Sequence, residues 1–376
     1  MNCARAFLVA AAVVLLAALS GAGASRVAVD PIPMLPGFKW VSYKQCDPRW
    51  GSLVMKVPGA TGRTATICQS GCAMTSASMM LATLGVQLGG ELVNPGNLNA
   101  FLVANHGYLC IDNLCFNLNM TVLNTLTTQV RYIGEQQKNS FASMSRDIKN
   151  RAIFHLLHVR NKSHFVLATG VAGGSSFFVN DPAFNQTTYE WSGVADVIRY
   201  MYNPYRHYSQ CNKSWGGDYM GLANHTTICQ VGCLMDSVAS ALTAPARGRP
   251  ILLPSFGYPT PATLNKWLRA NGGYWEQTSD LQESVVPKID PRKIRWPGDG
   301  MHVKNDIPLS TIKEWLTRET PRIVIANVMA GQHFVLVVGW SDADGGDTLY
   351  INDSGFDRLT YSYSKDVVGW RIFDMK

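Results

Sequence analysis

The sequence predicts an α+β protein that contains two tandem domains, each a helical half with an active-site helix followed by an antiparallel β-sheet. The stretch TICQSGC at residues 66–72 returns as TICQVGC at residues 227–233, which indicates an internal duplication. In both copies, helix-like segments precede strand-like segments, as in an α+β domain. We place the first domain at residues 36–203 and the second at 204–376. No Gly/Ser-rich linker separates them, so we expect close packing.

Five further motifs recur in the same order, and the offsets of all six repeats lie between 161 and 172 residues. They are Y-x-Q-C-x-x-x-W-G from Tyr43 and Tyr208, P-x-x-L-N from Pro95 and Pro261, H-F-V-L from His164 and His333, a strand ending in Asn-Asp at Asp181 and Asp353, and T-Y-x-aromatic-S from Thr188 and Thr360. A duplicated domain explains the shared order, and chance does not.

The elements of each copy follow from residue patterns. CAMTSASMMLATLG and CLMDSVASALTA predict a buried helix that begins near the cysteine, and Gly85 is expected to end the first one. LNAFLVANHG and LNKWLRANGG predict amphipathic helices that end at glycine. AIFHLLHV, HFVLATGV and SFFVND then read as strands, and IVIANV, HFVLVVGW and TLYIND are their counterparts, joined by glycine-rich turns.

Composition and the N-terminal segment indicate the compartment. The chain of 376 residues is 47% hydrophobic with a formal net charge of +7, and its scattered basic residues do not form a nucleic-acid-binding run. Residues 1–24 resemble a signal peptide cleaved near Ser25, because one arginine precedes a short apolar run and a small-residue site. A membrane anchor is the alternative, but the run is shorter than the ~20 residues that span a bilayer. We therefore expect passage through the secretory pathway to the cell exterior or to a lysosomal or vacuolar lumen.

Asn-X-Ser/Thr sequons support the secretory route. We expect N-glycosylation at Asn119, Asn161, Asn185, Asn212 and Asn224. A sixth sequon begins at Asn352, directly before one of the candidate site residues, where a glycan would argue against an open site.

We expect six cysteines to form disulfides and two to remain as thiols. Eight of the nine cysteines lie beyond the leader and could pair in about 105 ways. We propose disulfides Cys46–Cys68, Cys110–Cys115 and Cys211–Cys229, which leave Cys72 and Cys233 at predicted helix N termini, where a thiolate is favoured. Two inert core cysteines are the alternative. The C-x-x-x-C spacing fits neither a zinc site nor a redox motif, so no metal or cofactor is predicted.

A thiol nucleophile needs a base, a group that orients the base, and oxyanion donors. His164 and His333 each begin a strand, and Asp181 and Asp353 end the next strand, so each pair could meet in the sheet. Asn180 and Asn352 could orient the imidazole instead. Gln45 and Gln210 are the candidate oxyanion donors, and Gln69 and Gln230 compete for that role because they are closer to the cysteines in sequence.

The motifs W-x-x-Y-x-Q, T-I-x-x-x-G-C-x-x-x-S, H-F-V-x-x-x-G and N-D-P resemble the C39-like branch of the papain-like cysteine peptidases, over nearly all of both copies. The resemblance implies papain-like domains with a Cys-His-Asp triad and a glutamine oxyanion donor. Matched residue by residue, the two sets are Gln45, Cys72, His164 and Asp181, and Gln210, Cys233, His333 and Asp353.

Both copies depart from the family pattern. Cys-Gly-Pro-Thr-Ser is replaced by Cys-Ala-Met-Thr-Ser and by Cys-Leu-Met-Asp-Ser, and the glycine before the histidine by Ser163 and Gln332. Asp236 would place a negative charge one helical turn from Cys233 and oppose a thiolate there. The second copy is therefore expected to be the weaker enzyme.

We expect a cysteine-type hydrolase that cleaves peptide or amide bonds through a thioester acyl-enzyme. An acyltransferase or transpeptidase would use the same intermediate, and a non-catalytic peptide-binding tandem domain is the alternative from another class. The segment DADGGD at residues 342–347 resembles a calcium loop, but the first copy has GGSS there, so a hairpin turn is the preferred interpretation.

Overall fold

The computed structural model describes residues 40–127, 129–137, 140–149, 153–222, 225–244, 250–317, 322–342 and 346–376. The predicted signal peptide, the first four residues of the predicted first domain, Asn224 and residues 343–345 of the DADGGD turn lie outside the described residues. We refer to residues 40–203 as the first half and to residues 204–376 as the second half.

The first half contains short strands and helices before its main sheet. In chain order its elements are β1 (Val54–Met55), β2 (Ala65–Thr66), α1 (Ile67–Ser70), α2 (Cys72–Thr83), β3 (Gln87–Leu88), β4 (Glu91–Leu92), α3 (Pro95–Ala104), β5 (Tyr108–Ile111), β6 (Leu114–Leu118), a 3-10 helix (Met120–Thr125), β7 (Val130–Gln137), α4 (Phe141–Lys149), β8 (Ile153–Val159), β9 (His164–Val171), β10 (Ser176–Asn180), β11 (Thr188–Glu190), a 3-10 helix (Trp191–Gly193) and β12 (Asp196–Tyr202).

The second half has a similar order of elements. They are β13 (Tyr219–Met220), β14 (Thr226–Thr227), α5 (Ile228–Val231), α6 (Cys233–Leu242), α7 (Pro261–Ala270), a 3-10 helix (Glu283–Ile289), β15 (Ile294–Arg295), β16 (Met301–His302), α8 (Leu309–Thr317), β17 (Ile323–Val328), a 3-10 helix (Met329–Gly331), β18 (His333–Ser341), β19 (Thr348–Asn352), β20 (Thr360–Ser362), α9 (Tyr363–Asp366) and β21 (Gly369–Met375).

Each half builds one main antiparallel sheet from its later strands. Among the described residues, the first sheet has the strand order β11-β10-β9-β8-β12-β7, and the second has β15-β21-β17-β18-β19-β20 with β16 also on β21. Neighbouring strands run antiparallel throughout. The mixture of helices and sheet agrees with the α+β class predicted from the sequence.

The central strands are apolar at nearly every position because both faces of each sheet are covered. In the first half, Leu156 and Leu167 pack in the cluster that holds Met80 of α2, whereas Leu157 and Val166 pack with Met144 of α4 on the opposite face. Successive side chains of a strand point to opposite faces, so a strand between two helices has no polar face. Helices α2 and α4 thus cover opposite faces of the sheet.

The predicted role of glycine at helix ends holds for α2 but not for α3. Helix α2 ends at Thr83, and Gly85 takes a φ of 72°, close to the prediction. Helix α3 ends at Ala104, but His106 takes the left-handed φ of 53°, so the expected role of Gly107 was wrong. Gly107 is needed for space, since a Cβ there would lie 2.4 Å from a methyl carbon of Leu102.

The two halves are in contact. Ile153 and Met201 of the first sheet belong to the main apolar cluster of the second half. The buried carboxylate of Asp147 in α4 accepts hydrogen bonds from the Ser341 hydroxyl and the Asp342 backbone N–H, both at 2.9 Å. Within the described ranges, no helix is both long and apolar enough to span a bilayer.

Candidate active site

The thiol of Cys72 lies at the first residue of helix α2, directly after the short helix α1. The two helices join at Gly71, where a Cβ would lie 2.4 Å from the carbonyl oxygen of Ile67, so only glycine permits the turn. No side chain caps this end of α2. The backbone N–H groups at the start of the helix therefore remain able to stabilise negative charge near Cys72.

His164 and Asp181 meet where strands β9 and β10 lie side by side. The buried His164 has its Nε2 atom 2.8 Å from Oδ1 of Asp181. The same oxygen accepts the backbone N–H groups of Ala183 and Phe184, each at 2.9 Å. The other oxygen, Oδ2, accepts the hydroxyl of Tyr189 at 2.8 Å. Both carboxylate oxygens are thus held by hydrogen bonds.

The Cys72 thiol interacts electrostatically with the imidazole of His164. Because Nε2 of His164 bonds Asp181, Nδ1 is the nitrogen left for the thiol. Burial would lower the pKa of His164, but the hydrogen bond with Asp181 and the interaction with Cys72 outweigh it and raise this pKa to about 9. Burial would likewise raise the pKa of Asp181, yet the bond from His164 and the backbone donors lower it. The imidazolium and the carboxylate are the favoured charge states.

Gln45 is fixed at both its backbone and its side chain. Its backbone N–H donates to the carbonyl oxygen of Pro182 at 2.8 Å, directly after Asp181. Its Nε2 donates to the carbonyl oxygen of Cys68 at 2.7 Å, and the Cys46–Cys68 disulfide joins the same two segments. One Nε2 hydrogen is used there, and the amide group has a second one to offer a ligand.

The competing donors Gln69 and Gln230 are engaged elsewhere. The Oε1 atom of Gln69 accepts the backbone N–H of Thr66 at 2.9 Å, and Gln230 does the same with Thr227. Both glutamines therefore stabilise the first turn of a short helix. This arrangement favours Gln45 and Gln210 over them as oxyanion donors.

The asparagines before the aspartates also point away from the imidazoles. Nδ2 of Asn180 donates to the carbonyl oxygen of Val41 at 3.0 Å, and that of the buried Asn352 to the carbonyl oxygen of Arg206 at 2.9 Å. These contacts leave the aspartates as the partners of the histidines. They also leave the Asn352 sequon without an accessible amide.

The second half repeats the histidine–aspartate geometry. Nε2 of the buried His333 lies 2.7 Å from Oδ1 of Asp353, which also accepts the backbone N–H groups of Gly355 and Phe356 at 2.9 and 3.0 Å. The hydroxyl of Tyr361 donates to Oδ2 of Asp353 at 3.3 Å. The four hydrogen-bond partners of the Asp181 carboxylate described above thus have equivalents around Asp353.

Gln210 is held like Gln45, with one extra contact. Its backbone N–H donates to the carbonyl oxygen of Ser354 at 2.9 Å, and its Nε2 donates to the carbonyl oxygen of Cys229 at 2.7 Å. The hydroxyl of Ser354 also donates to Oε1 of Gln210 at 3.3 Å. A Cβ on Gly355 would lie 2.9 Å from Cε1 of His333 and 3.3 Å from Oε1 of Gln210. The amide and the imidazole are therefore close neighbours in the second half.

The two thiols differ in exposure. Cys72 is partly exposed, whereas Cys233, at the first residue of α6, is buried with 1% of its surface exposed. Cys233 lies in the apolar cluster that contains Met235 and Val238 of the same helix. Cys72 is therefore the more exposed of the two cysteines, and Cys233 is covered.

The expected effect of Asp236 was wrong in its physical cause. Asp236 is fully buried, and neither of its carboxylate oxygens has a hydrogen-bond partner among the described residues. Burial raises the pKa of this carboxyl well above its usual value, so the neutral acid is favoured and Asp236 does not bring the expected negative charge to Cys233. Thr75 occupies the equivalent position in α2.

The structure contains the three disulfides proposed from the sequence, Cys46–Cys68, Cys110–Cys115 and Cys211–Cys229. Cys72 and Cys233 take no part in these disulfides. Three of the predicted glycosylation sites, Asn161, Asn185 and Asn212, are exposed, and Asn119 is half-buried. In the part of the chain that the structure describes, no group of three or more His, Cys, Asp and Glu residues could hold a metal ion.

Two aromatic residues at each site were missed by sequence reasoning. Besides the tyrosine on the aspartate, a phenylalanine contacts each histidine edge to face, with ring centroids 5.2 Å apart for Phe184 and 5.1 Å apart for Phe356. The sequence did contain a signal, because D-x-x-F and T-Y recur after each candidate aspartate. The T-Y repeat aligns the two copies, and its tyrosine hydroxyl also belongs to the site.

Residues 56–210 match the model of the family described as the Peptidase_C39 like family. The match spans less than half of the 376 residues, includes Cys72, His164 and Asp181, and ends before Cys233. It supports a C39-like peptidase family and suggests a cysteine peptidase-type function. No curated protein and no solved structure gives a significant match.

Proposed function

We propose that the protein is a cysteine hydrolase that cleaves peptide or amide bonds with Cys72, His164 and Asp181 of the first half. The observation that carries this proposal is the hydrogen bond from His164 to Asp181, together with the interaction of His164 with Cys72 at the start of a 12-residue helix. A partly exposed thiol next to a histidine with a raised pKa is a typical activated nucleophile.

In the proposed reaction, His164 accepts the thiol proton, and the Cys72 thiolate attacks the substrate carbonyl carbon. The Cys72 backbone N–H and the second Nε2 hydrogen of Gln45 would stabilise the oxyanion. The C–N bond then breaks, and the imidazolium protonates the leaving amine, which leaves a thioester on Cys72. Water, deprotonated by His164, attacks the thioester and releases the acid and the thiol.

We also propose that the two halves are tandem papain-like domains, at residues 36–203 and 204–376, and that the protein reaches the secretory pathway. The repeated histidine–aspartate–tyrosine contacts support the first statement. The three disulfides are consistent with an extracellular or secreted protein, because disulfides persist in oxidising compartments.

The test is cleavage of a mixed peptide library by the full-length oxidised protein, read by mass spectrometry, with and without hydroxylamine. We expect cleaved acids without hydroxylamine and hydroxamates of the same acyl groups with it, because the amine captures the thioester. The Cys72→Ala variant should give neither product, and Cys233→Ala should give both. Equal cleavage by Cys72→Ala and wild type would overturn the proposal.

Addition of amines also separates hydrolysis from acyl transfer. If the products with peptide amines are mainly new amides rather than acids, the protein is an acyltransferase that uses the same thioester.

A further inference from the structure

A tyrosine hydroxyl supports the aspartate of each site. Tyr189 in β11 and Tyr361 in β20 are buried, and each donates to Oδ2 of its aspartate, at 2.8 and 3.3 Å. In each half the histidine and two backbone N–H groups bond Oδ1 alone. Among these contacts, the tyrosine is therefore the one that fixes the second oxygen and stops the carboxylate from rotating.

The direction of the tyrosine hydrogen bond in the first half is set by an arginine. Nε of Arg160 lies 3.1 Å from the hydroxyl oxygen of Tyr189. A guanidinium only donates hydrogen bonds, so the tyrosine oxygen accepts from Arg160, and its single hydrogen is left for Asp181. The Arg160 guanidinium also lies over the ring of Phe184, with Cζ 3.8 Å from the centroid. Arg160, Tyr189 and Asp181 thus form one ordered chain that leads to His164.

The second half supplies an arginine to the same tyrosine from a different segment. Arg358 lies over the ring of Tyr361, with Cζ 4.8 Å from the centroid, and its charge acts to lower the pKa of that tyrosine. In the aligned sequences Arg358 replaces Gln186, whereas Met329 replaces Arg160. The arginine has changed position in the chain while its contact with the tyrosine is retained, which indicates that the contact itself matters.

We infer that Tyr189 and Tyr361 are positioning residues, each held by an arginine, which lock the aspartate against its histidine and thereby maintain the charged form of the imidazole. This inference rests on the proposed function. In the first half, the successive contacts run from Arg160 through Tyr189, Asp181 and His164 to Cys72.

The test measures the rate of Cys72 alkylation by iodoacetamide in the full-length protein as a function of pH, with adducts quantified by peptide mass spectrometry. Wild type should react fast at acidic pH, where the imidazolium of His164 stabilises the thiolate. Tyr189→Phe, which removes only the hydroxyl, should slow this reaction about tenfold, because a hydrogen bond to a carboxylate is lost. In Tyr189→Phe, the pH at which the alkylation rate changes should also lie below about 9, which is the pKa of His164 in wild type.

Two further variants separate positioning from general stability. Tyr108→Phe removes a similar buried hydroxyl, 2.7 Å from Oδ1 of Asn99 and away from the triad, and should lower thermal stability without changing the pH profile. Arg160→Met should shift the profile in the same direction as Tyr189→Phe. The double change Arg160→Met with Gln186→Arg copies the second half and should restore the wild-type profile.

The outcomes are distinguishable. A Tyr189→Phe profile equal to that of wild type, with only a lower melting temperature, overturns the positioning role and leaves the proposed function intact. A wild-type Cys72 that reacts only at alkaline pH, like an ordinary thiol, overturns the proposed function and the inference with it.

Discussion

The two halves have the same histidine–aspartate–tyrosine contacts but present their cysteines differently. His164 and His333 bond their aspartates at 2.8 and 2.7 Å, whereas Cys72 is partly exposed and Cys233 is buried. The hydrogen-bonded groups of a thiol site can thus be retained while access to the sulfur is lost. Exposure of the cysteine, rather than the histidine–aspartate contact, distinguishes the halves, so we expect catalysis in the first half.

The largest difference that we predict between the two halves is in the effect of replacing their histidines. We expect His164→Ala to reduce the rate of peptide cleavage by about a thousandfold, because the base and the imidazolium are both removed. His333→Ala should change the rate less than about twofold, because this buried histidine lies in the other half and takes no part in the proposed reaction. Equal losses in the two variants would show that both halves work.

Raising the pH should lower the stability and the activity of the first half, because His164 loses its proton. Its folded-state pKa of about 9 lies above the ordinary value of about 6.5, so the stabilisation from its charged form is fully present below about pH 6.5 and is lost as the pH rises through about 9. We expect kcat/KM to fall on the alkaline side of this value. The measurement is the cleavage rate against pH for wild type and Cys233→Ala, which should follow the same curve. A wild-type curve with a second alkaline component that Cys233→Ala removes would contradict it.

The smallest effect concerns Asp236 and its equivalent, Thr75. A buried, unpartnered carboxyl costs about 1–3 kcal/mol, so Asp236→Thr should raise the free energy of unfolding by about that amount at neutral pH. The folded-state pKa of Asp236 is raised, so wild type loses stability as the pH rises above the unfolded-state value, and the gain from Asp236→Thr should shrink on acidification. Denaturant unfolding at two pH values checks this.

Thr75→Asp is the matched control for that prediction, because it introduces the carboxyl into the first half. We expect it to destabilise the protein at neutral pH, and less so in acid. A neutral effect of Asp236→Thr at every pH would mean that the carboxyl has a partner in solution.

Much of the site followed from the duplication, because a chemical group that recurs at one place in two copies stands out from single residues. The positions of His164 and Asp181 and the two disulfides that recur in both copies needed only the repeat and the strand order. Cys110–Cys115 was predicted instead from two extra cysteines in one short loop of the first copy. The burial of Cys233 could not be predicted from the sequence, because TICQSGC and TICQVGC differ at only one residue. The residues that cover Cys233 come from the surrounding apolar cluster. The neutral state of Asp236 likewise depends on burial in the folded core. The arginine that contacts each tyrosine was not predicted, because Arg160 and Arg358 occupy non-equivalent positions in the two copies.

The central claim, that access separates two otherwise similar sites, is tested most directly by alkylation of the native oxidised protein with iodoacetamide at neutral pH. Adducts on Cys72 and Cys233 are followed over time by peptide mass spectrometry, with a denatured sample as the reference for full reaction. We predict that Cys72 is labelled at least about a hundredfold faster than Cys233 and that His164→Ala slows its labelling. Equal labelling of the two thiols, or Cys72 found in a disulfide, would contradict the account.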